Sequence, residues 1–154
     1  MTSSPRPQRT HGQWAVDGRA PLNPNEEFKA ADGGLSVRQR VLDTYAREGF
    51  DSILADDLHG RLRWWGLYTQ RRQDIDGSRT GTLGADELSD RYFMLRVRLD
   101  GGAVTTHQLR VLAAISTDFA RGTADISDRQ NIQYHWIRIE DVPDIWARLE
   151  AAGM

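Results

Sequence analysis

Cysteine is absent from this sequence of 154 residues. Disulfides, thiolate zinc sites and any cysteine-ligated iron–sulfur cluster are therefore excluded within these residues. Lysine is almost absent too: of 20 basic residues, only Lys29 is not an arginine. The formal net charge of −2 gives no basic excess of the kind a general nucleic-acid binder needs. No apolar run approaches the ~20 residues of a membrane-spanning helix, and the opening "MTSSPRPQRTHGQW" has no charged-then-apolar signal pattern. These absences lead to an expected cytoplasmic location, with neither membrane nor nucleic acid as partner.

Several chemistries are missing as well. His11, His59 and His107 lack metal-ligand spacing to one another. No serine occupies a nucleophile elbow, and no glycine-rich phosphate loop precedes a helix. Asp74, Asp76 and Gly77 lack the remaining ligand positions of a calcium loop. What remains is arginine, whose planar fork holds carboxylates and oxyanions in a two-point geometry that lysine cannot reproduce. The useful question is where the arginines face.

The chain is long enough for one domain with an ordinary core. Residues 1–20 lack periodicity and read as a disordered or extended lead, with Trp14 as a possible anchor. A helical segment is expected over 21–60. It contains a short helix opened by Asn23, Pro24 and Glu26, and a longer one over "SVRQRVLDTYAREGF" with Ser36 and Gln39 in capping-box spacing. From residue 61 the pattern is strand, helix, strand, helix, the signature of an α+β unit. "RLRWWGLYTQR" reads as a strand with a bulge at Gly66, its adjacent Trp64 and Trp65 facing opposite sides, one packed and the other free to lie beside a planar cofactor. "RYFMLRVRL" places Phe93, Leu95, Val97 and Leu99 on one face and Tyr92, Met94, Arg96 and Arg98 on the other. Thr105 and Gln108 form a capping box before a helix with Leu109, Leu112, Ala113, Ser116 and Phe119 inward. Pro143 starts a last helix with Ile145, Trp146 and Leu149 inward.

The second strand lies in "DISDRQNIQYHWI". Alternation puts Arg129, Asn131, Gln133 and His135 on one side and Ile132, Tyr134 and Trp136 on the other. If the helix crosses over in the right-handed sense and covers the apolar sides, Arg96 and Arg98 share the uncovered face with the polar row. Two arginines two positions apart stand roughly 6 to 7 Å from each other, a spacing suited to a ligand with several carboxylates. On the pattern alone, a solvated sheet face fits better than a ligand site. The only acids close in sequence are Asp125 and Asp128.

"RWWGLYTQR", "YFMLRVRLDGG" and "DISDRQNIQYHWI", in this order and spacing, resemble the N-terminal half of the siroheme-dependent, ferredoxin-linked sulfite and nitrite reductases of actinobacterial type. The resemblance runs from about residue 12 to the end. It implies that residues 61–154 form a ferredoxin-like half-domain, repeated later in the full chain, whose sheet faces siroheme coupled to a [4Fe-4S] cluster through a shared cysteine. It also implies six-electron reduction of sulfite to sulfide, or of nitrite to ammonia, with ferredoxin as electron donor. Position by position, Arg96 matches the catalytic arginine that contacts the substrate anion. Arg129, Gln133 and His135 match residues that hold siroheme carboxylates, and Asn131 falls in the same motif. Arg98, Tyr68 and Gln70 match the cofactor edge. The family's cluster cysteines and further active-site lysines have no counterpart here, so no metal ligand is assigned. The resulting expectation is an N-terminal fragment of a sulfite reductase, inactive without its missing C-terminal half. A nitrite reductase fragment, or a stand-alone half-domain binding a tetrapyrrole or a partner subunit, are the alternatives.

Overall fold

The computed structural model describes residue 28 and residues 31–79, 81–84, 87 and 89–154. The expectations for the lead, for Trp14 and for the Asn23-capped helix lie outside these residues. Helix α1 (Gly34–Arg40) continues through a π-helical turn, Val41–Tyr45, into a final α-helical turn, Ala46–Glu48. Its start differs from the sequence expectation: Gly33 is the N-cap, and Ser36 and Gln39 form no capping box. The Ser36 hydroxyl turns back to Asp32 and the Gly33 carbonyl, while the Gln39 amide donates to Asp43 at 2.7 Å. Helix α2 (Ala55–His59) follows, an element the sequence did not signal.

Residues 61–65, expected in a strand, form a 3-10 turn (Arg61–Trp65) instead. Gly66 ends it with φ +75°, and only then does strand β1 (Leu67–Arg71) begin. The two tryptophans are therefore not on opposite faces of a strand. Trp65 donates from its indole N–H to the Gly34 carbonyl at 2.6 Å and packs on Trp146, centroids 5.3 Å apart. Trp64 lies across Gly34, where a Cβ would sit 2.4 Å from its ring. Both rings thus fasten α1 to the sheet unit.

Strand β2 (Ser89–Val97) pairs antiparallel with β1 on one side and with β4 (Ile132–Ile137) on the other. Helix α3 (Thr106–Phe119) leads first to a two-residue strand, β3 (Asp125–Ile126), antiparallel to β4. The sheet order is β1-β2-β4-β3. A right-handed crossover was expected from β2 directly to the strand at Asn131–Ile137, which would make the two strands parallel; β4 does lie beside β2, but it runs antiparallel to it. The chain makes a split unit in which β4 inserts between β2 and β3. The cause is a tight reversal at Ser127–Gln130, closed by Ser127 N–H to the Asn131 carbonyl and Gln130 N–H to the Ser127 carbonyl, both at 2.9 Å. Gln130 carries φ +63° in that turn, a conformation its side chain does not advertise.

The capping box at Thr105 and Gln108 is present in both its bonds. Helix α3 buries Leu112, Ile115 and Ser116, whereas Leu109 is 56% exposed and Ala113 faces out, contrary to expectation. Counting from the cap, the 112/115/116/119 stripe is the one that lands on the sheet, and Leu109 lies one turn beyond it. Helix α4 (Val142–Ala151), with Pro143 in its first turn, buries Ile145, Trp146 and Leu149 as expected. Phe93, Leu95 and Val97 of β2, Tyr134 and Ile137 of β4, and Val37, Val41 and Tyr45 from the α1 unit join these in one core. The buried Tyr134 hydroxyl donates to the Leu112 carbonyl at 2.8 Å, and burial pushes its phenol well above the usual range.

One buried polar network lies under α1. Asp57 is completely buried and accepts from Arg40 through two nitrogens (2.7 and 3.0 Å), from Arg61 (3.1 Å) and from the Tyr45 hydroxyl (2.6 Å). Burial opposes its ionisation, but these bonds outweigh burial and hold its carboxyl below the ordinary carboxylate range. Tyr45 is pushed up, first by burial and then by its bond to the carboxylate. A buried carboxylate with three donors ties α1, α2 and the 3-10 turn together.

Candidate functional site

The face of the sheet opposite α3 and α4 carries the outward residues of each strand. From β1 these are Tyr68 and Gln70, from β2 Tyr92, Met94 and Arg96, and from β4 Gln133 and His135. Arg96 and Gln133 are direct cross-strand partners, and Tyr68 pairs with Met94. The Arg96 guanidinium consequently lies between its neighbours, its Cζ 5.1 Å from the Tyr68 ring centroid. With the Gln133 amide turned so that its oxygen faces the arginine, that oxygen accepts from Nη2 at 2.7 Å and from Nε at 3.2 Å. No carboxylate reaches Arg96 among the described residues. Its position depends on Gly66, whose carbonyl accepts the Arg96 N–H at 2.8 Å and whose missing Cβ leaves room for the Arg96 carbonyl.

Beside Arg96 lies an open groove of about 370 Å³, lined by Arg63, Trp64, Trp65, Gly66, Tyr68, Arg96, Arg98 and Asn131. Arg63 was not singled out from the sequence. It sits on the 3-10 turn, and reading that segment as a strand concealed that its last turn folds toward β2. Arg63 has no ion-pair partner among the described residues. Arg98 lies just past the end of β2, its side chain 85% exposed, with Nε 3.1 Å from Asp100. Three guanidiniums thus border the groove against one acid.

The remaining sequence-derived candidates divide by position. Asn131 lines the groove, and its Oδ1 accepts the Leu99 N–H at 3.0 Å, extending the pairing of β2 beyond its last residue. His135 is half-buried on the uncovered face, its Nε2 3.1 Å from Asp125 of β3. One of the two acids close in sequence is therefore already engaged. Arg129 does not lie in the row of the strand. It sits in the β3–β4 turn, exposed and without a partner among the described residues. Gln70 reaches across β2 to β4, where its Oε1 accepts the Trp136 N–H at 3.0 Å.

That last bond marks a break in the alternation. Between Phe93↔Ile137 and Leu95↔Tyr134, β2 advances two residues while β4 advances three, so β4 carries a bulge at His135 and Trp136. Trp136 has φ +60°. The bulge lets Ile137 follow Tyr134 into the core and turns Trp136 out beside His135, ring centroids 5.7 Å apart. Trp136 was expected on the core side, and strict alternation cannot anticipate an inserted residue. Chemically, the face is an array of fixed, largely unneutralised donors on a rigid sheet, suited to a flat anion with several carboxylates and to a small oxyanion at Arg96. No group of three or more metal-ligating side chains occurs among the described residues. No described helix is long and apolar enough to cross a membrane.

Comparison with known proteins matches residues 86–152 of the chain to the nitrite/sulfite reductase ferredoxin-like half domain. The chain is 59% identical over 153 residues to sulfite reductase (ferredoxin) 2 of Mycolicibacterium paratuberculosis, covering 99% of this chain and 28% of that protein. It is 35% identical over 140 residues to the ferredoxin–nitrite reductase of Leptolyngbya laminosa, covering 90% of this chain and 24% of that protein. The structure of the Mycobacterium tuberculosis NirA protein aligns with a TM-score of 0.85 at 60% identity, covering 92% of this chain and 26% of that one. The chain therefore spans about a quarter of the length of these relatives.

Proposed function

Because the chain belongs, through residues 86–152, to the nitrite/sulfite reductase ferredoxin-like half-domain family, we propose that it supplies the substrate arginine and part of the siroheme cradle of a ferredoxin-dependent sulfite reductase. The observation that carries this reading is Arg96: a guanidinium fixed between Tyr68 and Gln133, on an uncovered sheet face, without an acid to neutralise it. The sulfite reductase relative at 59% identity favours sulfite over nitrite, since the nitrite reductase relative stands at 35%.

The residues present fit a polycarboxylate tetrapyrrole by the chemistry of their donors. Arg63, Arg96 and Arg129 have no acid partner among the described residues, while Arg98 and His135 have one each. Siroheme, electronically coupled to a [4Fe-4S] cluster, would supply the electrons for reducing sulfite to sulfide. This sequence has no cysteine to ligate such a cluster. Arg129, Gln133, His135 and Arg98 would hold cofactor carboxylates, with Tyr68 and Asn131 at the edge. Gln70 contributes through the bulge that it braces.

Arg96 would bind the sulfite oxyanion with a charge that does not titrate away, and would stabilise negative charge on oxygen as S–O bonds weaken. Its contacts are made before any ligand arrives, so no reorganisation is needed when charge develops. The test is co-expression of this chain with the remaining three-quarters of a sulfite reductase relative. The assembly should show siroheme absorption and reduce sulfite with reduced ferredoxin. Arg96→Ala should keep the absorption and lose sulfite turnover by at least about a hundredfold, the scale for removing one preorganised donor. Full turnover in that variant would remove Arg96 from the reaction.

A further inference from the structure

The uncovered face extends past Arg96 in the direction away from Arg98. Four residues back along β2, roughly 13 Å, stands Tyr92, and there a cation arrives from the opposite layer. Arg121 leaves the end of α3 with φ +55°. Its Cζ lies 4.6 Å from the Trp136 ring centroid and 5.7 Å from that of Tyr92. Trp136 itself is held outward, at φ +60°, by the bulge that Gln70 braces. Two residues with side chains thus occupy a region of backbone space that favours glycine, and they meet each other. Such paired outliers need a surrounding structure that over-determines them.

A guanidinium stacked on aromatic faces keeps its N–H edge available. Arg121 makes no hydrogen bond and meets no acid among the described residues, and Asp125, the acid of β3, is engaged with His135. Arginines elsewhere on the molecule differ: Arg91, Arg138 and Arg148 each hold a carboxylate at 2.6 to 2.7 Å. Arg121 is therefore fixed in place, with its charge left open, beside Trp136 at the end of the face opposite Arg98.

We propose that Arg121 is an anion-binding residue of this face, meeting a peripheral carboxylate of a planar, carboxylate-rich ligand whose other rim reaches Arg98. This extends the tetrapyrrole reading above and rests on it. Tyr92 and Trp136 orient the guanidinium, and Gln70 is a positioning residue that acts through the bulge. The motif carried by Arg129, Gln133 and His135 does not include Arg121, because the residue lies on the preceding loop and only the fold brings it to the sheet.

The test uses the 154-residue chain and uroporphyrin III, an iron-free tetrapyrrole with eight carboxylates, titrated by fluorescence. Arg121→Gln should weaken binding about tenfold, the scale of one charge-assisted hydrogen bond. Arg121→Lys should fall between, keeping the charge without the fork. Arg110→Gln, which removes an exposed arginine on the outer side of α3, should bind as the parent does. Backbone amide spectra of the same variants report whether Trp136 keeps its position. Unchanged affinity in Arg121→Gln would overturn the proposal. Loss of affinity accompanied by displacement of the Trp136 amide would also overturn it, making Arg121 a latch for the bulge. A parent chain that fails to bind uroporphyrin would overturn the cradle reading itself, so the parent titration tells the two failures apart.

Discussion

Replacing Gly66 by alanine perturbs fold and site at the same position. Gly66 has φ +75°, which costs a residue with a Cβ about 1 to 2 kcal/mol. The added Cβ would lie 2.4 Å from the Arg96 carbonyl oxygen, closer than real contacts permit, and that oxygen belongs to the backbone of a central strand. Relief requires β1 and β2 to separate at the point where the Arg96 N–H donates to the Gly66 carbonyl at 2.8 Å, and losing that bond costs a further ~1 kcal/mol. With local overpacking added, the total is on the order of 3 to 4 kcal/mol. Urea unfolding followed by tryptophan fluorescence measures it, with Gly81→Ala as the reference, since nothing lies within 4 Å of a Cβ there. The Arg96 amide resonance should also move in Gly66→Ala. A loss below about 1 kcal/mol with an unmoved Arg96 amide would refute the argument that this glycine sets the position of the arginine.

Two further predictions concern the supports of the site. Asp57→Asn removes the negative charge between Arg40 and Arg61 and should cost about 3 kcal/mol, the scale for breaking a buried pair by one partner. Because the folded-state pKa of Asp57 lies below its ordinary value of 3.8, its contribution is present above about pH 4 and is lost as the pH falls through the folded value. Urea midpoints measured between pH 3 and 7 should therefore drop at the acid end in the parent and do so less steeply in Asp57→Asn. Gln70→Leu strands the Trp136 N–H within the bulge and should cost about 1 to 2 kcal/mol, with faster hydrogen exchange at that amide. An exchange rate equal to the parent's would show that the bulge does not need Gln70.

Much of the uncovered sheet face was legible in order along the chain. The alternation of Phe93, Leu95 and Val97 against Met94 and Arg96 survives in the structure because β2 is central, with a core on one side only. The capping box at Thr105 and the inward set of α4 also follow from local chemistry, since caps and amphipathic stripes act within a few residues. The Arg61–Trp65 segment was misread because aromatic residues suit strands and turns alike. Its conformation is decided by Trp65 reaching Gly34, 31 residues away. In helix α3 Leu112, Ser116 and Phe119 lie inward as expected, while Leu109 and Ala113 do not, because Leu109 is apolar by composition and exposed by placement.

By itself the sequence determined which residue types would share a strand face, where two helices would begin, and that arginine would be nearly the sole cation of the chain. Tertiary structure alone decided the rest. It inserted β4 between β2 and β3, set the bulge that turns Trp136 outward, moved Arg129 off the strand, turned Arg63 of the first motif to the groove beside Arg96, and brought Arg121 to a face whose motifs do not contain it. The physical reason is range. Alternation and capping depend on neighbours one to four residues apart, whereas a bulge braced by Gln70 across 66 residues exists only once the sheet has assembled.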